Sequence, residues 1–286
     1  MKDSYLEHVL KNPHLSELWK SLFVNGPSIK EEDIITNREK VSKLLPDPPV
    51  IIGGCGRSGT TVMHAILSAH PEIYAIPSET TAFCPTAYSQ LEKPAAQSDI
   101  NPTANFNLGP FFAKCFNGFI PPNRRRWCEK TPRNILFFKK ILEYFGENVR
   151  LIHAVRDGRD VILSHHPSDP EKFWIEPERW VAEVEAGMKF LNHPQVFTLR
   201  YEDLIFHFEE KIREICAFIG IPVCNEILNW HQHATFRTDP AWTKEVDSLH
   251  SQSIGRWKTT KRKNRVENLL SNPEAIRLIK ALNYEV

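Results

Sequence analysis

Glycine is scarce in this sequence. There are 12 in 286 residues, where average usage of about 7% would give roughly 20. Four of them, Gly53, Gly54, Gly56 and Gly59, fall close together, so much of the chain's backbone freedom is concentrated in one place. Charge of one sign is also lacking. Lys and Arg number 36 against 35 Asp and Glu, a formal net charge of +1, which argues against general nucleic-acid binding and leaves room for a local basic site. No apolar run approaches the roughly 18 residues of a membrane span. The opening MKDSYLEHVLKNPHLSELWK has no apolar core flanked by a cleavage site, so no secretory leader is read there. The cysteines (Cys55, Cys84, Cys115, Cys128, Cys216, Cys224) include no C-x-x-C pair and no Cys/His grouping with zinc spacing. Reduced thiols in a cytoplasmic protein, with no metal and no membrane partner, are the expectation.

What is present is an ordinary globular composition, 41% hydrophobic and 25% charged, long enough for one large α/β domain. Residues 1–47 read as a polar, amphipathic helical extension, with Leu15, Leu18, Leu22 and Phe23 at helical spacing. From 48 onward short apolar runs alternate with helical patterns. VIIGG (50–54), EIYAI (72–76), RRWCEKTP (125–132), VRLIHAV (149–155) and the start of QVFTLRYEDL (195–204) read as strands. SGTTVMHAILSAH (58–70), NILFFKKILEYFG (134–146), RDGRDVILSHH, FEEKIREICAFIG and a stretch near 273–282 read as helices. Residues 80–124, rich in Pro, Asn and Ser, read as an inserted loop or lid on the acceptor side. This alternation predicts an α/β fold: a mainly parallel sheet with helices on both faces, and a ligand at the carboxyl ends of the strands.

GGCGRSGTT (53–61) lies between a buried strand and a helix and contains G-x-x-x-x-G from Gly54 to Gly59. Amides of such a loop and of the helix start converge on an anion, and glycine lets the backbone approach its oxygens. Ser58, Thr60 and Thr61 add hydroxyls. A nucleoside triphosphatase would carry Lys after Gly59; here Thr60 stands there, and Arg57 inside the loop is the cation. A second anion site is read at 156–164. Arg156 follows a strand directly, and Ser164 comes about two helical turns later. An arginine fork and a hydroxyl would grip one phosphate. On the residues alone, Asp157, Arg159 and Asp160 read equally well as a solvated charge run. Two sites together point to a ligand with two separate phosphates.

GRSGTT after a strand, EKTP at the end of another, and VRDGRDVILS together resemble the sulfotransferases, whose donor is 3′-phosphoadenosine 5′-phosphosulfate (PAPS). The resemblance covers roughly 48–286 and implies the P-loop-like sulfotransferase fold. It implies that the first loop (Arg57, Ser58, Gly59, Thr60, Thr61) holds the 5′-phosphosulfate and that Arg156 with Ser164 holds the 3′-phosphate. RYEDL (200–204) resembles a family segment that puts Tyr201 near the adenine. SIGRWK (253–258) resembles the segment that closes over the nucleotide, which brings in Ser253, Arg256, Trp257 and Lys258. The histidine that phenol and steroid sulfotransferases use as base is replaced by Pro132 in Lys130-Thr131-Pro132. SAHPE and PSET are instead similar to the glutamate-base, tyrosylprotein type, with Glu79 the matching base. Thr81 and Ala82 stand where that type carries an arginine for acidic peptides, and its membrane anchor and lumenal location have no counterpart in the residues read.

The resemblance implies a mechanism. Glu79 takes the acceptor's proton, while Lys130, Arg57 and the loop amides stabilise charge building on the leaving 5′-phosphate. Adenosine 3′,5′-bisphosphate (PAP) is the nucleotide product. The expected acceptor is a small-molecule alcohol, phenol, sugar or amine of secondary metabolism, with carbohydrate or protein tyrosine as the alternative. A P-loop kinase is the reading of a different class. Phe83, Tyr88, Phe106, Phe111 and Phe112 are expected to wall the acceptor pocket, and Arg124, Arg125 and Arg126 to attract acidic groups. His64 reads first as a packed helix residue, with reach to the acceptor as the alternative, and His153 as structural.

Overall fold

The computed structural model describes residues 39–84, 106, 108–115, 120–166, 169–236, 249 and 251–285. Most of the N-terminal extension, and Tyr88, lie outside the described residues. The expected strands form one five-stranded parallel sheet: β1 (Val50–Gly54), β2 (Ile73–Ala75), β3 (Arg126–Lys130), β4 (Arg150–Val155) and, after the hairpin described below, β7 (Val196–Arg200). Their order is β2-β3-β1-β4-β7. β1 is central, paired in register with β3 (Ile52 opposite Lys130) and with β4 (Ile52 opposite Ile152).

Alternation along β1 explains the layers. Side chains of a strand point to opposite faces in turn. Val50 and Ile52 enter one apolar cluster and Ile51 the other. The first cluster gathers Met63, Ile66 and Leu67 of α1 (Thr60–Ser68) with Ile212, Ile215 and Ile219 of a later helix. The second gathers Ile135 and Phe137, from a 3-10 segment Pro132–Phe137, with Phe138 and Ile141 of α3 (Phe138–Phe145) and Phe111 and Phe112 of α2 (Leu108–Cys115). Ile51 and Ile52 are wholly buried, and each contributes on the order of 1.5–3 kcal/mol by leaving water. The parallel sheet is thus covered on both faces, as its continuous apolar strands require.

The structure corrects two readings: Leu108–Cys115, inside the segment expected as an inserted loop, is the helix α2, and one expected helix is cut short. The helix expected through RDGRDVILSHH is a single turn, α4 (Gly158–Val161), followed by an antiparallel hairpin of β5 (His165–His166) and β6 (Asp169–Phe173). Pro167 and Pro170 keep a helix from running through His166 and onward, since each disfavours helix at the residue before it and removes a donor. The chain continues through α5 (Pro177–Met188), α6 (Tyr201–Phe206), α7 (Phe208–Ile219), α8 (Asn225–Leu228), α9 (Trp230–His233), α10 (Lys263–Leu270) and α11 (Pro273–Ala281). Gly220, left-handed at φ 78°, closes α7 as the sequence pattern suggested.

Candidate active site

The carboxyl ends of β1, β3, β4 and β7 meet at one rim of the sheet, and the sequence-derived site residues gather there. The loop after β1 turns on a Ser58 N–H to Cys55 carbonyl bond of 3.1 Å. Gly59 caps α1 in the left-handed region at φ 88°. A Cβ there would lie 2.6 Å from the Tyr201 ring, so the site needs glycine for conformation and for space. Arg57 has φ 71° without being glycine, a conformation that costs on the order of 1–3 kcal/mol and clusters at ligand clamps. Ser58 and Thr60 are buried; Thr61 is half-buried. The Ser58 hydroxyl has no hydrogen-bond partner among the described residues.

Three arginines converge on this loop. Arg156, at the end of β4, donates to the Arg57 carbonyl at 3.2 Å and to the Ser253 carbonyl. Its guanidinium lies 4.7 Å from the centre of the Tyr201 ring, and the Tyr201 hydroxyl is 3.4 Å from Ser253 Oγ. The Arg57 pKa is lowered to about 10, first by desolvation and then by the charges of Arg156 and Arg256. Arg256 is shifted down by the same causes, burial first and Arg156 next. The buried Nε atoms of Arg156 and Arg256 have no partner among the described residues. Mutually repelling cations with unsatisfied donors have the chemistry to attract an anion. Among the described residues no three His, Cys, Asp or Glu side chains come together as a metal site.

The charge run after Arg156 is not solvated. Asp157, Arg159 and Asp160 are all buried. Asp157 caps α4 by accepting from the Arg159 N–H, and its carboxylate also takes the Arg159 guanidinium. Asp160 accepts the N–H groups of Gly255 at 2.6 Å and Trp257 at 3.1 Å. The Trp257 ring lies 3.8 Å from the Arg159 guanidinium carbon, and exposed Lys258 lies 5.6 Å from the same ring. Segment 253–258 is therefore strapped to the turn that carries Arg156. Sequence reasoning missed Asp160 because a carboxylate among other charges looks solvated. Ser164 sits beyond α4, not in a helix; its buried hydroxyl points back to the Asp160 carbonyl at 3.5 Å.

Glu79 and Lys130 meet from different segments: Lys130 Nζ lies 2.5 Å from Glu79 Oε1, with the lysine side chain 1% exposed and the glutamate 19%. Burial rules out a snorkelling surface lysine. His64 packs as expected, with Nε2 3.3 Å from the Cys128 carbonyl and its ring against Phe236. The acceptor-wall expectation fails for the described aromatics. Phe83, Phe111 and Phe112 are buried, and Phe83 stacks on Trp127 while Phe111 meets it edge-on, as core. Phe106 packs edge-on to Phe83. The expectation for the arginines fails too. Arg124 donates to the His70 and Ile73 carbonyls, Arg125 pairs with Asp47, and Arg126 donates to the Ile219 carbonyl. All three stand at the amino end of β3, away from the rim.

A sequence profile described as "Sulfotransferase family" matches residues 48–225, more than half of the chain. The chain belongs to the sulfotransferase family. This sulfotransferase is 26% identical over 202 residues to a protein described as a putative protein-tyrosine sulfotransferase of Caenorhabditis briggsae, covering 64% of this chain and 69% of that one. It is 27% identical to protein-tyrosine sulfotransferase A of Caenorhabditis elegans over 65% of this chain and 53% of that one. It is 25% identical to the Drosophila melanogaster protein-tyrosine sulfotransferase over 68% of this chain and 41% of that one. The matched segment thus spans about half the length of several of these relatives. Among solved structures, the sulfotransferase domain from the curacin biosynthetic pathway superposes with a TM-score of 0.57 at 18% identity, covering 84% of this chain and 99% of that one. A mouse sulfotransferase complexed with PAP gives 0.52 at 16%, covering 89% and 94%. These likenesses establish the expected fold, and PAPS is the donor of the family to which this sulfotransferase belongs. The cytoplasmic expectation is corrected by the relatives: they carry the name of the type to which the resemblance attaches a membrane anchor and a lumenal location. Among the described residues no helix is long and apolar enough to cross a membrane.

Proposed function

We propose that this sulfotransferase moves the sulfuryl group of PAPS to the phenolic hydroxyl of a tyrosine in a protein. The observation that carries the acceptor class is the set of relatives named protein-tyrosine sulfotransferases, which match about two thirds of the chain. A small-molecule hydroxyl or amine is the second reading. It is favoured by Thr81 and Ala82 in place of a peptide-holding arginine, and by the diversion of Arg124–Arg126 to structural bonds.

PAPS supplies the sulfuryl group, whose S–O bond to the 5′-phosphate breaks as the bond to the acceptor oxygen forms. The protein's part is positioning and electrostatics, as in phosphoryl transfer. Arg57 and the amides of Ser58 to Thr61 hold the phosphosulfate end. Arg156, Arg256 and Ser164 hold the 3′-phosphate end, while Tyr201, Ser253 and Trp257 frame the nucleoside and Lys258 adds charge at the rim. Lys130 neutralises charge on the leaving oxygen. Glu79, held by Lys130, takes the acceptor's proton.

Thermal melts with PAP and with ATP–Mg²⁺ test the donor. Binding at about 100 times Kd stabilises by roughly 2.7 kcal/mol, and a shift with ATP–Mg²⁺ alone rejects the reading. Transfer of label from PAPS to a tyrosine peptide, compared with p-nitrophenol and an aryl amine, tests the acceptor; labelling of the small molecules only favours the second reading. Glu79→Gln and Lys130→Ala are expected to lose turnover by about 100-fold or more while still binding PAP. Near-normal turnover in Glu79→Gln rejects the base assignment.

A further inference from the structure

Glu129 is a wholly buried carboxylate at the head of the EKTP motif, to which neither sequence pattern nor family resemblance gave a role. A carboxylate leaves water at a cost of several kcal/mol unless its oxygens are satisfied. Here they are. Oε1 accepts from the Thr80 N–H at 3.3 Å, the Thr80 hydroxyl at 2.9 Å and the Thr131 hydroxyl at 2.6 Å. Oε2 accepts from Asn134 Nδ2 at 2.7 Å. Burial raises its pKa above the usual 4.5, opposed by these bonds.

The placement of these partners matters more than their number. Two bonds land on Thr80, the neighbour of Glu79. Lys130, the neighbour of Glu129, takes Glu79 itself. Consecutive residues of β3 thus grip consecutive residues of a segment that forms neither strand nor helix. The Thr81 N–H lies 3.4 Å from the Thr131 hydroxyl, and Thr81 is left-handed at φ 53°. Asn134 also donates to the Ile52 carbonyl of β1 at 3.2 Å, which ties the network to the strand that carries the phosphate loop.

We propose that Glu129 is a positioning residue: its carboxylate holds Thr80, and through Thr80 sets the Glu79 carboxylate against Lys130 for proton abstraction. This inference rests on the reading of Glu79 as base. Glu129 itself has no path to the acceptor, since its oxygens are enclosed by Thr80, Thr131 and Asn134. An acceptor-only group is needed, because all four contacts to it come from donors. Glutamine at this position presents an NH₂ to one of them.

The test uses Glu129→Gln, Glu79→Gln, the double variant and Glu129→Asp in the full chain. It measures PAP affinity by calorimetry, and kcat and KM for PAPS on the better of a tyrosine peptide and p-nitrophenol. A misplacement on the order of 1 Å costs about 100-fold, so Glu129→Gln is expected to lose about 10- to 100-fold in kcat. Its PAP Kd and KM for PAPS should stay within about 2-fold of wild type, because the arginine cluster is untouched. Glu129→Asp should recover part of kcat. The double variant should be no slower than Glu79→Gln alone, since a positioning residue has nothing left to position. Multiplicative losses in the double variant, or wild-type kcat in Glu129→Gln while Glu79→Gln is inactive, overturn the proposal. An active Glu79→Gln overturns the base reading itself, a result that does not involve Glu129. If Glu129→Gln does not fold, Thr80→Val carries the same test at a half-buried position. Losing the hydroxyl's bonds to Glu129 and from the Ala82 N–H should lower kcat about 3- to 10-fold with PAP affinity intact; unchanged kcat overturns the proposal.

Discussion

Asp160 and Trp257 are joined through the main chain: the Trp257 N–H donates to the Asp160 carboxylate at 3.1 Å. The preceding residue, Arg159, faces the Trp257 ring at 3.8 Å. Two successive residues of the turn after β4 therefore hold the 253–258 strap, one by its backbone and one by its ring. The same strap offers the Ser253 carbonyl to Arg156 and lays Arg256 beside Asp160, with a 3.4 Å bond to its carbonyl. The order of the nucleotide site thus depends on a carboxylate that touches no nucleotide in this reading.

Replacing Asp160 by alanine leaves the Gly255 and Trp257 amides without their acceptor. Unsatisfied buried donors cost about 1–3 kcal/mol each, part of which water recovers at a half-exposed strap. PAP affinity is expected to fall about 10-fold or more, with the sheet still folded by circular dichroism. Calorimetry with PAP reads the effect, and unchanged affinity would show that the strap takes no part in binding.

Arg156 is expected to resist conservative replacement. Its fork spans the Arg57 and Ser253 carbonyls while its plane lies over Tyr201. Lysine has neither the fork nor the flat face. Arg156→Lys and Arg156→Ala should therefore both weaken PAP binding, by roughly 30-fold or more for a charge-assisted pair lost. A lysine variant that binds like wild type would show that charge alone suffices there.

How far the sequence could be read follows from where the partners of each residue lie. The loop at 53–61 and Arg156 were readable because strand, turn and cation are contiguous. Glu79 was readable only through resemblance, since its ionic partner Lys130 is 51 positions away. Asp160 and Glu129 were not readable. Asp160 takes its Gly255 donor from 95 positions away; Glu129 has near donors in Thr131 and Asn134, but the one that links it to Glu79 is Thr80, 49 positions away, and without those distant partners each is one charged residue among several. The helix assigned through His166 ignored Pro167 and Pro170, and apolar VIL in that stretch suits a buried turn as well as a helix. The Phe83, Phe111 and Phe112 rings were assigned to a pocket because aromatic composition does not separate a wall from a core.

Gly59→Ala tests the loop directly. The residue must keep φ 88° and would bring its Cβ to 2.6 Å from the Tyr201 ring. Left-handed strain costs about 1–3 kcal/mol, and the tyrosine must move as well. The variant is expected to lose PAP affinity by at least about 10-fold and to melt several degrees lower. Wild-type affinity in this variant would mean that the loop and Tyr201 are not packed as described.

His153 gives a pH prediction with a definite sign. It lies on β4, wholly buried, with neither ring nitrogen hydrogen-bonded among the described residues. Its ring sits so close to Gly187 that a Cβ there would come within 2.1 Å. Burial lowers its pKa from 6.5 to about 3, so the folded chain holds it neutral where the unfolded chain binds a proton. Stability from this group is complete above pH 6.5 and is lost as pH falls toward 3, at about 1.4 kcal/mol per pH unit. His153→Leu removes that slope. Relative to wild type it should gain roughly 2 kcal/mol more at pH 5 than at pH 7, read from urea unfolding at the two pH values. At neutral pH the apolar side chain also removes two unsatisfied nitrogens, which favours it, against an imperfect fit beside Gly187, which does not. Equal differences between variant and wild type at both pH values would show that His153 is protonated in the fold, and that the sheet tolerates a charge beneath α5.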